Sequence, residues 1–205
     1  MVKKIMKKEG FKKGFSLIEF FVIVTIFSIM AGITALNYRE FQAEIELRNL
    51  AYDVALSIRQ TQTFGISATD STMPLSPATA IPSDDRSIYG IYFEGSDRLV
   101  IFQDLDKSKT FDSENDRVLS DSRIATGDII KTICKGDSKP GTCVSSESKN
   151  LVAIFQRPFP DAVIKDNSTS TEYAYTSILL ESGKKPEVQK MIELWNTGAI
   201  NIANN

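Results

Sequence analysis

The chain contains no histidine, which removes Ser-His-Asp and Cys-His catalysis, the usual general base near neutral pH and the commonest zinc ligand. Cysteine is nearly as scarce. Cys134 and Cys143 are the only two, and their C-x8-C spacing matches neither a zinc finger nor a C-x-x-C redox pattern. No enzymatic activity is expected of such a sequence. Acids are almost missing from the first fourteen residues, where Lys3, Lys4, Lys7, Lys8, Lys12 and Lys13 face Glu9 alone. The formal net charge of −2 therefore hides a basic start and a more acidic remainder. An acidic remainder disfavours phosphate backbones, so nucleic acid is not an expected partner.

Proline is absent before Pro74. Within that stretch, Phe15 to Leu36 reads FSLIEFFVIVTIFSIMAGITAL, apolar apart from Glu19 and a few small hydroxyls. As a helix it spans a hydrocarbon core of ~30 Å at ~1.5 Å per residue. It is too long for the apolar part of a secretory signal peptide, about 7–15 residues. The lysines before it place the N-terminus in the cytoplasm and the bulk of the chain outside. Beyond it, Phe41, Ile45, Leu47, Leu50, Val54 and Ile58, with Ala51 and Ala55, recur mostly every three or four positions. That spacing predicts one helix over 15–64, transmembrane over 15–36, with Gly65 available to end it and the outer half packed on a domain.

Residues 65–87 are rich in Pro, Ser, Thr and Asp and read as a linker. From 88 to 205 the period becomes that of strands, expected at Ile88–Glu94, Leu99–Gln103, Val118–Ser122, Ile129–Cys134, Leu151–Gln156, Ala162–Lys165, Thr171–Glu181, Val188–Trp195 and Ala199–Ile202. Asn196-Thr197-Gly198 reads as a tight hairpin turn with Gly198 left-handed.

Lys12-Lys13-Gly14-Phe15-Ser16-Leu17-Ile18-Glu19 resembles the cleavage signal of type IV prepilins and pseudopilins: basic leader, glycine, a hydrophobic +1 residue, then glutamate at +5. The resemblance implies that a membrane prepilin peptidase removes residues 1–14 after Gly14 and N-methylates Phe15. It also implies that Glu19 pairs with an N-terminal ammonium during assembly. A carboxylate at membrane depth costs on the order of 2.5–3.5 kcal/mol, so it needs such a partner; the alternative is that Glu19 lies near the interface and snorkels, with no assembly role. Leu50–Ser67, YGIYF, LVIFQ, LVAIFQRPFPDA and the closing WNTGAINI are similar to the GspH/FimT-type minor pilins and pseudopilins. The implied fold is α+β and pilin-like, a long N-terminal transmembrane and amphipathic helix on a C-terminal β-rich antiparallel head. The implied function is a minor structural subunit of a type II secretion or type IV pilus-like filament. Such a subunit sits as a single-pass protein of the inner membrane, head in the periplasm or outside the cell, before it enters the filament. Its partners would be other pilin or pseudopilin subunits, the peptidase and the inner-membrane assembly platform. A DNA-capturing minor pilin is the alternative. It requires a basic strip, for which Lys184, Lys185 and Lys190 form the local cluster.

On the outer side of the membrane, Cys134 and Cys143 are expected to close a disulfide around a Lys-, Gly-, Asp- and Pro-rich loop, worth roughly 2.7 kcal/mol by loop entropy. Two nearby free thiols are the alternative. Asp104-x-Asp106-x-Ser108, followed by Asp112, Glu114 and Asp116, is an oxygen-rich loop with Asp104 and Asp106 as candidate calcium ligands. Lys109 and Asn115 stand where the EF-hand loop needs glycine and glutamate, so a solvated acidic loop without a cofactor is expected.

Overall fold

A computed structural model describes residues 14–67, 88–139, 142–145, 150–156, 159–169 and 171–204. The expected leader and most of the expected linker lie outside them. The chain divides into two compact units, Met1–Phe41 and Gln42–Asn205.

One helix, α1 (Leu17–Ile66), begins in the first unit and ends in the second. In the first unit its large apolar side chains, from Leu17 through Ile33, are exposed all round, so no protein core accounts for them. The stretch Leu17–Ala35 is long and apolar enough to cross a membrane. Its few hydroxyls bond within the helix. Thr25 donates to the Phe21 and Val22 carbonyls, Ser28 to Val24 and Thr34 to Met30, so no hydroxyl donor is left for lipid to satisfy.

The second unit is α+β. Among the described residues eleven strands follow the helix: β1 (Ile88–Glu94), β2 (Arg98–Asp104), β3 (Arg117–Arg123), β4 (Ile129–Gly136), β5 (Thr142–Ser145), β6 (Asn150–Gln156), β7 (Ala162–Asp166), β8 (Glu172–Tyr173), β9 (Tyr175–Glu181), β10 (Gln189–Trp195) and β11 (Ile200–Asn204). They form two antiparallel sheets, a six-stranded one in the order β3-β2-β1-β6-β7-β8 and a five-stranded one in the order β11-β10-β9-β4-β5. Leu47, Ala51, Val54 and Ile58 of α1 share one core with Ile91, Phe93, Leu151 and Phe155 of the larger sheet and Ile130, Ile133, Ile178 and Ile192 of the smaller. Each large aliphatic side chain fully buried there contributes about 1.5–3 kcal/mol.

Strands β1, β2 and β6 are apolar on both faces because the larger sheet has a second cluster behind it. Ile88, Tyr92, Val100, Phe102, Val152 and Ile154 pack there under Phe111. Phe111 lies 5.0 Å from the rings of both Tyr92 and Phe102. Asn167 holds it by a reciprocal pair: the Phe111 amide donates to Oδ1 at 2.6 Å and Nδ2 donates to the Phe111 carbonyl at 2.9 Å.

Four expectations need correction. Phe41 and Ile45 are exposed and do not join the buried stripe of α1, which runs instead through Ala43, Leu47, Ala51, Val54, Ala55 and Ile58. Gly65 does not end the helix, which continues through Ile66. A Cβ at Gly65 would stand 2.7 Å from the Phe155 carbonyl oxygen, so glycine is needed for close approach to β6. The single strand expected over Thr171–Glu181 is two, because the chain changes sheets at Ala174: Tyr173 pairs with Ile164 in one sheet and Tyr175 with Trp195 in the other. Finally, β5 had no counterpart among the expected strands. The turn at Asn196-Thr197-Gly198 is as expected, with Gly198 at φ +77° and its amide donating to the Trp195 carbonyl at 2.8 Å.

Candidate functional site

Gly14, Phe15 and Ser16 lie just before α1, and Glu19 falls in its first turn. A Cβ at Gly14 would meet nothing within 4 Å. Phe15 and Glu19 are exposed, four positions apart, so a helical continuation would put their backbone nitrogen and carboxylate one turn from each other. The Ser16 carbonyl accepts the Phe20 amide at 3.1 Å and starts the ladder. Among the described residues the motif therefore presents an exposed small residue, a large apolar one and an acid at the N-terminal end of an apolar helix.

In the head, Cys134 and Cys143 face each other across β4 and β5 and are joined by a disulfide. Lys135, next along β4, points inward and is almost fully buried. It pairs with Asp166 of the opposite sheet, whose other oxygen accepts the Tyr173 hydroxyl at 3.3 Å.

The loop between β2 and β3 brings Asp104, Asp106 and Asp116 together, with a carboxylate oxygen from each within 4.8 Å of the others. Asp104 accepts the Ser108 amide at 3.2 Å and the Lys109 amide at 2.8 Å. Asp116 accepts those of Leu105 at 3.3 Å and Asp112 at 2.7 Å. Lys107 and Lys109 take left-handed backbone, φ 62° and 58°, so that the chain can wrap the carboxylates. Burial pushes both Asp104 and Asp116 above the ordinary carboxylate range; the charge of Asp116 adds to the rise at Asp104, and those of Asp106 and Asp112 add to it at Asp116. Asp106, exposed, is held below that range by bonds from Ser108. Three carboxylates could offer oxygen to a hard divalent cation, though calcium takes 6–8 such ligands. Asp116 completes the group, whereas Asp112 and Glu114 do not. The Asp112 carboxylate accepts the Glu114 amide at 3.0 Å and Asn115 Nδ2 at 2.8 Å.

These raised carboxylates have a testable consequence. A carboxyl whose folded pKa lies above its unfolded value binds more protons when folded, so its contribution to stability falls as pH rises from about 3.9 through the raised value. The slope of unfolding free energy against pH across that window should be more positive in Asp116→Asn than in the wild type, because one group that loses stability with rising pH is gone. Equal slopes would show that Asp116 titrates normally.

The basic cluster noted near the C-terminus is opposed by acids. Lys184 is bonded to Glu46 of α1 at 2.5 Å, and Lys185 lies 4.0 Å from Glu187. Lys139 and Glu193 form a further pair that sequence reading did not find, because their separation in the chain gives no pattern and the Glu193 partners come from three segments. Comparison with protein-family models, with curated proteins and with solved structures gives no match.

Proposed function

We propose that this chain is a prepilin-like precursor. Its residues 1–14 are removed, and its mature part, from Phe15, enters a type IV pilus-like or type II secretion-like filament as a structural subunit with a pilin-like fold. The carrying observation is that Gly14-Phe15-Ser16-Leu17-Ile18-Glu19 opens an exposed apolar helix that continues into the head. The continuation supports the same reading. Opposite the face buried in the head core, Ile45, Tyr52 and Leu56 form a second apolar stripe that is exposed. A helix with an apolar face that its own domain leaves uncovered is suited to neighbouring helices of its own kind.

The precursor stands in the inner membrane with its lysines in the cytoplasm and its head outside, where Cys134 and Cys143 can oxidise. Cleavage after Gly14 creates an ammonium at Phe15, and Glu19 pairs with it, or with that of a neighbouring subunit, in a low-dielectric setting.

N-terminal sequencing and intact mass of the membrane-extracted protein test the reading. They should show a chain that begins at Phe15 and carries one added methyl, and the same species should be found in sheared filament fractions. An uncleaved chain, or one starting near Ala31 to Ala35, would overturn it.

A further inference from the structure

The outer face of the five-stranded sheet carries one cross-strand row through all its strands. Cys143 of β5 pairs with Cys134 of β4, Cys134 with Ser177 of β9, Ser177 with Glu193 of β10, and Glu193 with Asn201 of β11. The row joins a disulfide to a carboxylate. Glu193 is only 3% exposed, yet it stays ionised in a specific setting. The Tyr175 hydroxyl donates to Oε1 at 3.1 Å, Asn201 Nδ2 donates to Oε2 at 3.1 Å, and the Lys139 ammonium pairs with Oε1. Two neutral donors do not offset a buried negative charge, so the cation decides whether that charge is tolerable.

Lys139 reaches Glu193 from the connection between β4 and β5, five residues after Cys134 and four before Cys143. It is half exposed. Its place is set by the hairpin base, where β5 contributes four residues at the edge of the sheet and the disulfide crosses the third of four registered pairs. An edge strand this short has little hydrogen bonding of its own to keep it in register.

We propose that the Cys134–Cys143 bond is a redox latch on this row: closed, it holds Lys139 on Glu193, and opened, it releases Lys139 and leaves the carboxylate without a counter-charge. Opening is a two-electron reduction by a dithiol. The S–S bond breaks, each sulfur takes up a proton, and the dithiol becomes a disulfide. The groups that face Glu193 are Lys139 from the β4–β5 connection, Tyr175 from β9 and the neutral Asn201 from β11. In the closed state Lys139 holds the Glu193 carboxyl below the ordinary carboxylate range, and Glu193 holds the lysine above its own. In the open state burial acts on Glu193 alone, and the head gains a protonatable acid on the outside of the smaller sheet.

Carboxylate labelling of the full chain in detergent micelles, with a carbodiimide and an amine, tests this when read by peptide mass spectrometry. Oxidised protein, dithiothreitol-reduced protein, Cys143→Ser, and oxidised Lys139→Met are compared, with buried Asp104 of the other sheet as internal reference. Glu193 should label about tenfold faster in the last three than in the first, reflecting easier local opening, with Asp104 unchanged. Unchanged Glu193 in the reduced protein and Cys143→Ser would overturn the coupling to the disulfide. Unchanged Glu193 in Lys139→Met would overturn the role of the lysine. A matching rise at Asp104 would show general unfolding and overturn the latch as well.

Discussion

Phe93→Ala should lower the unfolding free energy of the head by about 3–5 kcal/mol in denaturant titration, the range for a large aromatic removed from a packed core. Phe93 is fully buried on β1 and belongs to the cluster shared by α1 and both sheets, so its loss leaves a cavity bounded by elements that cannot easily close on it. Tyr52→Ala supplies the contrast. Tyr52 lies on the exposed face of the same helix and touches Arg48, whose guanidinium stands 5.7 Å from the ring centroid, so its removal should cost about 0.5 kcal/mol or less. A cost for Phe93→Ala below that of Tyr52→Ala would mean that the helix and the two sheets do not share a core.

The contrast between those two residues marks where the sequence was legible. Runs of apolar residues located most strands because β1, β2, β6 and β9 are buried along most of their length, so their pattern is strong. It could not reveal the sheet change at Ala174, since the apolar pattern of 171–181 continues through it and only pairing partners distinguish the two halves. It passed over β5 because a four-residue edge strand just after a Pro-Gly pair in the sequence carries too little pattern. On α1, Phe41 and Ile45 lie four positions apart and only two from the buried Ala43 and Leu47 respectively, so periodicity grouped them with the buried stripe. The helix has two apolar faces, so one stripe was read where there are two. Gly65 was read as a terminator from its position. Its actual constraint, the backbone of Phe155, is ninety residues away and invisible to local rules. In the acidic loop Asp104 and Asp106 were visible by spacing, whereas Asp116 joins them only because the loop turns back on itself through Lys107 and Lys109. The pairing of Lys139 with Glu193 needs the order of five strands, which no window of sequence contains.

Glu19→Gln should leave cleavage intact and strongly reduce incorporation into filaments. Glu19 sits in the first turn of an otherwise apolar helix, where an ionised carboxylate costs on the order of 2.5–3.5 kcal/mol to hold at membrane depth. Glutamine keeps the size and much of the hydrogen bonding while it removes the charge, so insertion should be no worse and can improve. The peptide bond after Gly14 lies five positions earlier, outside the altered turn, and the mature mass should again start at Phe15. On the proposed assembly, what is lost is the pairing with an N-terminal ammonium, an interaction whose value is large only in a low-dielectric surround and which would mark the register of one apolar helix against the next. The measurement is the ratio of filament-borne to membrane-borne subunit in the native host, after mass spectrometry has established cleavage. A roughly tenfold fall in that ratio corresponds to about 1.4 kcal/mol of lost assembly free energy, a modest fraction of what a desolvated ion pair with one partner removed can cost. A ratio equal to wild type would show that Glu19 sits at the membrane surface with its carboxylate in water. It would remove charge pairing from the proposed assembly and leave the apolar stripe of Ile45, Tyr52 and Leu56 as the feature that has to hold neighbouring helices together.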